Sequence, residues 1–340
     1  MPRILTNKFG FPEPLLRALS YDGYEKRGFI STTALIDAPK VRILRNNTEY
    51  YEDVSDLIWS VRGSAMHVVL ERAAEMIDKF DKENGLLAPR YESEIKLDYK
   101  LLGKHLTPDE VEDGIHLTGT FDLMHIASPI TLFDYKDTSV WKVIKCKKSI
   151  DERGATVYKA GPEDVKDWAK QTNIYRYIIW KTRGIVVEKI NIIVFLKDWK
   201  QSEAYKEDYP SKPVIIVSIP TYNFESVERF IETRLELHHG AQMLFEQGGL
   251  DAVPECTREE RWATNETWKI YTHEGASRAI SGGVYVIDSE EQKVKAQAHY
   301  DALRINNPKT FMKKFDGEDR RCENYCAMNI HCHYYKSKFS

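Results

Sequence analysis

Two aspartates and a lysine stand in neighbouring apolar segments of the sequence. Asp122 lies in "IHLTGTFDLMHI", and Asp134 and Lys136 lie in "ITLFDYKD". Both segments alternate apolar and polar residues and are rich in strand-forming types, which predicts two β-strands. A charge on a buried strand is costly unless it has a partner. These three side chains are therefore candidates for chemistry.

The register of the predicted hairpin decides whether the three charges meet. Asp134 and Lys136 are two residues apart, so they leave the same face of their strand. Asp122 lies opposite Asp134 if Ala127-Ser128-Pro129 is a three-residue loop centred on Ser128, and the proline then stays outside the ladder. Two carboxylates on one patch repel each other unless a cation lies between them, and Mg²⁺ binds through one or two carboxylates. The alternative is a structural salt bridge between Lys136 and one of the aspartates.

Two predicted helices carry further candidates. "SDLIWSVRGSAMHVVLERAAEMIDKF" repeats apolar residues at helical spacing, with His67 one turn after Gly63, where a glycine permits close backbone approach. "GPEDVKDWAKQTNIYRYIIWKTRG" has Pro162 in its predicted first turn and a glycine at its end, which are helix-terminus signals. On this second helix Gln171 and Tyr175 lie one turn apart, so an amide and a phenol share a face.

The order of these segments gives the fold. "YESEIKLDYKLL" and "VEKINIIVFLKDW" are predicted as the first and the fourth strand in chain order, so the order of elements is α-β-β-β-α-β. These elements carry four motifs: "GSAMH" (GxxxH), "GTFD" (GxxD), "DYK" (DxK) and "QTNIY" (QxxxY). This set resembles the PD-(D/E)XK nuclease superfamily, in particular its RecB-like branch, which includes AddB, CRISPR-associated exonucleases and many phage enzymes. The resemblance covers about residues 30–200. It implies a restriction-endonuclease-like α/β fold, with a mixed central sheet flanked by helices.

The resemblance also implies a role for each motif residue. The metal ligands it implies for Mg²⁺ or Mn²⁺ are His67, Asp122, Asp134 and the backbone carbonyl of Tyr135. Asp122, Asp134 and Lys136 would be the catalytic residues, with Lys136 positioning the attacking water and steadying charge on the phosphate. Gln171 and Tyr175 would contact the substrate strand.

Residues around these motifs supply further candidates. Glu94, at the start of the first strand, can add a carboxylate to the site, whereas Glu71 on the first helix is expected to be a solvated charge. The basic segment "WKVIKCKKSIDER" follows the DxK strand, so Lys142 and Lys145 are expected to extend from the mouth of the site and contact phosphates. A solvated charged loop is the alternative for this segment, and Trp141 within it can stack on a base or simply pack.

The cysteines cluster near the end of the chain. Cys322, Cys326 and Cys332 lie in "CENYCAMNIHC", and such a cluster favours metal over disulfides in a reducing compartment. Members of the RecB-like branch carry a [4Fe-4S] cluster, with one cysteine ahead of GxxxH and three near the C-terminus. This chain has no cysteine before Cys146, so the resemblance requires Cys256 as the first ligand. A zinc site is the alternative to the iron–sulfur cluster, and a metal-free cluster also stays open.

Composition and texture set the domain organisation. The 340 residues are 42% hydrophobic and carry a net charge of −3, which describes an ordinary globular protein and indicates no particular partner. Near residue 250 the long helical and strand patterns give way to short segments. This change predicts a nuclease domain over 1–250, which ends in a long trailing helix, and a small α+β module with the cysteines over 251–340. No apolar run is long enough to span a bilayer. We expect a cytoplasmic protein, in a bacterium or a phage-infected host cell, without a membrane partner.

The predicted function is metal-dependent DNA hydrolysis. We expect an exonuclease that acts at DNA ends in recombination, repair or phage DNA metabolism. The sequence contains no GxxxxGK[ST] motif, so any ATP-driven unwinding would need a helicase or a recombination partner. The alternatives are a CRISPR-type end-trimming nuclease, a catalytically silent DNA-binding scaffold of the same fold, and an RNA-acting phosphodiesterase.

Overall fold

The protein is described by a computed structural model that covers residues 3–20, 28–86, 88–103, 114–152, 154–161 and 164–339. The chain divides into two compact units, Met1–Val253 and Pro254–Ser340. No helix in the described ranges combines the length and the apolar composition that crossing a membrane requires. Each unit has its own sheet and its own core.

The first unit alternates helices and strands. Its described elements, in chain order, are β1 (Arg3–Thr6), α1 (Glu13–Ser20), β2 (Phe29–Ser31), α2 (Thr32–Ile36), α3 (Pro39–Asn47), β3 (Tyr50–Asp53), α4 (Ile58–Glu83), β4 (Tyr91–Leu101), β5 (Ile115–His125), β6 (Thr131–Thr138), β7 (Lys147–Ile150), β8 (Thr156–Lys159), α5 (Lys166–Arg183), β9 (Lys189–Leu196), β10 (Val214–Ile219) and α6 (Phe224–Gly248).

One mixed sheet dominates this unit. Its strands run in the order β2-β5-β6-β9-β10-β8-β7, and β4 pairs with the other edge of β5. The β4–β5, β5–β6 and β9–β10 pairs are antiparallel, whereas β6 runs parallel to β9. The core joins the apolar face of α5, including Ile174 and Ile178, to Ile192 and Val194 of β9. The predicted mixed α/β fold, with a large central sheet flanked by helices, is confirmed.

The β5–β6 hairpin carries the predicted charges. Its observed register pairs Leu123 with Phe133 and His125 with Thr131, so the hairpin is centred on residue 128 as predicted. The strands stop earlier than predicted, however, and the connection is five residues long (126–130) rather than three. Ladder pairing stops at Leu123, and extending the same register places Asp122 opposite Asp134.

Two predicted local features need comment. α5 begins at Lys166 and ends at Arg183, and Gly184 caps it with φ 68°, a left-handed conformation that glycine reaches without strain. Pro162, predicted to lie in its first turn, falls outside the described residues. The basic segment after β6 does not form a simple loop, because part of it pairs as the antiparallel β7–β8 hairpin, with Lys148 opposite Tyr158.

The second unit is a small α+β module. Its described elements are β11 (Glu266–Tyr271), β12 (Val284–Ile287), α7 (Glu290–Asn306), β13 (Phe311–Phe315), α8 (Arg320–Asn324) and α9 (His333–Phe339). The antiparallel sheet has the order β12-β11-β13. Trp268 and Ile287 on one face of this sheet form a core with Ala296 of α7. Ser289 caps α7 by accepting a hydrogen bond from the backbone N–H of Gln292.

Candidate metal centre

Three side chains from three elements of the first unit meet at one point. They are His67 of α4, Glu94 of β4 and Asp122 of β5, and their ligand atoms all lie within 4.8 Å of one another. His67 Nδ1 is 3.0 Å from Glu94 Oε1 and 3.5 Å from Asp122 Oδ1. Asp122 is buried, whereas the other two side chains keep partial access to solvent. An imidazole with two carboxylates is a donor set that can bind a divalent metal ion.

Glu94 owes its position to the backbone of β4. The β4–β5 register pairs Ser93 with Leu123 and Ile95 with Phe121, which places Glu94 opposite Asp122. Glu94 itself has φ 50°, in the left-handed region that non-glycine residues rarely adopt. Such a conformation costs energy and is found most often at functional sites. Glu94, which the sequence offered only as an additional candidate, therefore belongs to the three-residue group with His67 and Asp122.

Asp134 and Lys136 of β6 add one further carboxylate and one ammonium group on the neighbouring strand. Asp134 is 2% exposed, and its Oδ2 lies 2.7 Å from Lys136 Nζ. At this distance the ammonium and the carboxylate form an ion pair. The salt bridge that the sequence left as an alternative is therefore present.

The pKa of Asp122 is strongly shifted by its surroundings. Burial raises its pKa to about 7, and the negative charge of Asp134 contributes in the same direction. The charge of His67, the backbone N–H of Tyr135 and the ammonium of Lys136 all oppose this rise. Burial is the main cause of this shift, because it disfavours the charged form of the carboxyl group, and a bound cation would favour that form again. The site therefore favours a cation.

Asp122 contacts both Tyr135 and His67. The backbone N–H of Tyr135 donates to Asp122 Oδ2 at 2.5 Å, and the Tyr135 ring meets the His67 ring edge-on with centroids 5.6 Å apart. The hydrogen bond to Glu94 raises the pKa of His67, burial lowers it, and the charge of Asp122 raises it further. The predicted ligation of metal by the Tyr135 carbonyl stays a prediction.

Helix α5 brings Gln171 and Tyr175 to the sheet. Gln171 Nε2 donates to Tyr175 Oη at 2.8 Å. Tyr175 is 5% exposed. Burial raises its pKa, the hydrogen bond from Gln171 lowers it, and the carboxylates of Asp134 and Asp122 raise it further. A Cβ added at Gly119 would lie 2.4 Å from Tyr175 Cε1. The glycine of GxxD thus makes room for this ring.

Gly63 of GxxxH behaves differently from Gly119. Nothing among the described residues lies within 4 Å of a Cβ added there. The close backbone approach predicted at this helix position is not made by any described part of the chain. Gly63 instead borders open space one turn from His67.

Two ion pairs brace the site and were not anticipated from the sequence. Arg62 Nε, next to Gly63 on α4, lies 3.0 Å from Asp137 Oδ2 at the end of β6. Arg183 at the end of α5 donates to both oxygens of Glu92 on β4, at 2.6 and 2.7 Å. These pairs hold the two helices to the strands that carry Asp134 and Glu94. Their partners are up to 91 residues apart, so no local spacing signals them.

The basic segment lies after β6. Lys142 Nζ sits 5.7 Å from the centroid of the Trp168 ring, and Lys145 is exposed. Neither forms an ion pair with any residue that the structure describes. Trp141 is 71% exposed, so it does not pack into the core.

The second unit contains four half-buried cysteines that influence one another's pKa. None of Cys256, Cys322, Cys326 and Cys332 forms a disulfide. Burial raises the pKa of Cys256 to about 12, and Glu260, Cys332 and Cys322 raise it further. Burial also raises the pKa of Cys322 to about 11, with contributions from Asp319, Cys326 and Cys332. Asn329 Nδ2 donates to the Cys322 carbonyl at 2.9 Å and helps to fix this turn. Cys146 is instead buried in the core of the first unit.

Comparison with known proteins adds little to this picture. No family model matches the chain, and no curated protein matches it. Among solved structures, the crystal structure of SSO0001 is similar with a TM-score of 0.37 and 13% identity, over 70% of this chain and 92% of that one. A structure described as "Putative exonuclease" from Eubacterium rectale has a TM-score of 0.26 and 12% identity, over 44% of this chain and 46% of that one. Neither similarity assigns a family or a chemistry to the chain.

Proposed function

We propose that the protein is a metal-dependent nuclease of the RecB-like branch of the PD-(D/E)XK superfamily, acting as an exonuclease on DNA ends. One observation carries the proposal: His67, Glu94 and Asp122 converge on one point, with Asp134 and Lys136 on the adjacent strand. Hydrolysis of a phosphodiester requires ligands for a hard cation and a positive group near the attacked phosphate. This group of side chains supplies both.

The donor set fits Mg²⁺ or Mn²⁺. Asp122 is buried, and its pKa is raised by burial and by the charge of Asp134. Lys136 already pairs with Asp134, so the carboxylates of Asp122 and Glu94 carry the charge that a cation would offset. His67, Glu94, Asp122 and Asp134 would hold the ion, together with the carbonyl of Tyr135. A bound divalent ion there supplies Lewis acidity to a phosphoryl oxygen and lowers the pKa of water.

The chain's own residues would orient the reacting groups. The ammonium of Lys136, 24% exposed and held beside Asp134, would position a water molecule and offset charge on the scissile phosphate. Gln171 and Tyr175, linked by their hydrogen bond, would contact the strand that is cut. Lys142 and Lys145 would bind phosphates farther along, which gives affinity independent of sequence.

The cysteine group of the second unit would hold a [4Fe-4S] cluster. Cys256, Cys322, Cys326 and Cys332, none of which forms a disulfide, would supply the four thiolates that such a cluster requires. Bound metal would also remove the repulsion between neighbouring thiolates. Zinc is the alternative metal. Absorbance near 400 nm after anaerobic purification, with iron and zinc counted by elemental analysis, distinguishes the two.

The cellular role follows from the same activity. A nuclease without its own motor would act in the cytoplasm in recombination, repair or phage DNA metabolism, alone or with a helicase or recombination partner. A CRISPR-type end-trimming nuclease is the second candidate. A catalytically silent DNA-binding scaffold is the third, although no candidate ligand or lysine of the motifs is missing from the sequence.

Digestion of end-labelled linear DNA and of covalently closed circular DNA tests the proposal. Each substrate is incubated with Mg²⁺, Mn²⁺ or EDTA and with the wild type, Asp134→Asn or Lys136→Met. We expect metal-dependent loss of linear DNA only, abolished in both variants, while Glu71→Gln retains activity. Equal cleavage of circular and linear DNA would show that the protein is an endonuclease and not an exonuclease. Retained DNA binding without any cleavage would favour the silent scaffold.

A further inference from the structure

The sheet of the second unit has one face that its helix does not cover. Trp268, Ile287 and Ala296 form the core on the α7 side. Residues one position away on each strand point to the other side, because side chains alternate along a strand. This opposite face, which we call the open face, carries Lys269 and Tyr271 of β11 and Lys313 and Phe315 of β13.

The register places the two lysines side by side. Lys269 pairs with Lys313 across β11 and β13. Their ammonium groups lie 4.9 and 5.0 Å from the centroid of the same Phe315 ring, which puts all three side chains on the open face. Like charges directly opposite each other destabilise a sheet. Neither lysine forms an ion pair with any residue in the described part of the chain.

Aromatic rings lie on both sides of the lysine pair. Phe315 lies two residues after Lys313, and the pair Tyr271–Phe311 lies two residues to the other side. Each of these three rings is half-buried and so keeps part of its surface accessible to solvent. Two residues along a strand span about 7 Å, a spacing comparable to that of successive phosphates in a single strand. Val284 and Val286 on the edge strand β12 are 53% and 54% exposed and extend the apolar surface.

We propose that the open face binds single-stranded DNA, with phosphates on Lys269 and Lys313 and bases stacked on the flanking rings. The charge of the pair is complementary to phosphate, and aromatic rings stack on any base. An acidic peptide would match the lysines but would leave the half-buried rings unexplained. The choice of DNA over RNA rests on the proposed nuclease function, whereas the binding face itself rests only on the second unit.

Fluorescence anisotropy of labelled oligo(dT) with the full chain in EDTA tests this proposal, because EDTA prevents turnover. In Lys269→Gln/Lys313→Gln we expect affinity to fall about tenfold at 0.1 M salt, and the slope of log affinity against log salt to decrease by about 1.4, since each phosphate contact contributes about 0.7 for single strands. The charge-matched control is Lys293→Gln/Lys295→Gln on α7, whose lysines pair with Glu290 and Glu291. This control is expected to bind within twofold of the wild type.

A second variant tests the stacking. Phe315→Ala keeps both lysines and is expected to weaken oligo(dT) binding about tenfold, with an unchanged salt slope. Circular dichroism melts of each variant exclude unfolding of the module as the cause. The proposal is overturned if the lysine variant binds like the wild type or if the α7 control loses as much. Tighter binding of oligo(U) or of duplex than of oligo(dT) would also overturn it.

A small substrate separates this proposal from the nuclease proposal. Hydrolysis of bis-p-nitrophenyl phosphate with Mn²⁺ reports on the metal centre and needs no oligonucleotide surface. We expect the open-face variants to hydrolyse it at the wild-type rate. Absence of hydrolysis by the wild type, with intact oligo(dT) binding, would reject the nuclease and leave the open face standing.

Discussion

The two motif glycines are expected to respond in opposite directions to the same substitution. In Gly119→Ala the new methyl group would lie 2.4 Å from Tyr175 Cε1, about 1 Å inside ordinary contact distance. Tyr175 is 5% exposed, and its hydroxyl accepts a hydrogen bond from Gln171. The ring cannot move away without disturbing the core or breaking this bond.

The magnitude follows from these contacts. Overpacking of a core costs about 1–3 kcal/mol, and loss of the Gln171–Tyr175 hydrogen bond adds about 1 kcal/mol. Replacing glycine by alanine returns about 0.5–1 kcal/mol by restricting the unfolded chain. We therefore expect Gly119→Ala to lower the free energy of unfolding by about 1–3 kcal/mol. Gly63→Ala, at a half-buried position of α4 where no described residue lies within 4 Å of an added Cβ, is expected to raise it by about 0.5–1 kcal/mol.

Urea denaturation followed by circular dichroism measures both effects. The same Gly119→Ala change is then made in a Tyr175→Leu background, where the ring is absent and the expected loss is largely relieved. An unchanged loss in that background, or full stability of Gly119→Ala, would refute the steric reasoning. If Gly63→Ala gains stability but loses DNA cleavage, the open space beside His67 is where the substrate strand passes.

Three further outcomes are expected. Glu94→Gln should weaken Mn²⁺ binding at least tenfold by isothermal titration calorimetry, whereas Glu71→Gln should not. Mn²⁺ at about 100 times its dissociation constant should stabilise the wild type by about 2.7 kcal/mol, and Asp122→Asn should remove this gain in thermal melts. Burial, aided by two nearby arginines, lowers the pKa of His238 from 6.5 to about 4. The free energy of unfolding should therefore rise by up to about 3 kcal/mol from pH 4 to 6.5, and His238→Gln should flatten this rise.

The sign of the His238 effect comes from the buried neutral imidazole. Its Nε2 lies 3.2 Å from the Leu35 carbonyl. Between pH 4 and 6.5 the unfolded chain binds a proton that the folded chain does not, so acid favours unfolding. A pH dependence that is the same in the wild type and in His238→Gln would show that other groups cause it.

Periodicity predicted the order of the helices and strands, because each of these elements depends on a local pattern, and the resemblance of the motif set then implied the mixed α/β fold. Alternation along "ITLFDYKD" and the helical spacing around His67 gave the order of elements and the centre of the β5–β6 hairpin. Features set by distant or conformational effects were not visible. The left-handed backbone of Glu94 has no sequence signal in a glutamate. The Arg183–Glu92 pair joins residues 91 positions apart. Neither the hydrophobic pattern nor the secondary-structure propensity of a sequence indicates such a backbone conformation or such a long-range ion pair.

The salt bridge in the structure explains only part of the charge on the buried strands. An ion pair needs one carboxylate and one ammonium, which Asp134 and Lys136 provide. Asp122 and Glu94 add two more carboxylates beside His67, and burial, together with the charge of Asp134, raises the pKa of Asp122 to about 7. Replacing such charges by apolar residues usually stabilises a core. Their joint presence, with a strained backbone at Glu94, therefore favours a functional cation site over a purely structural pair.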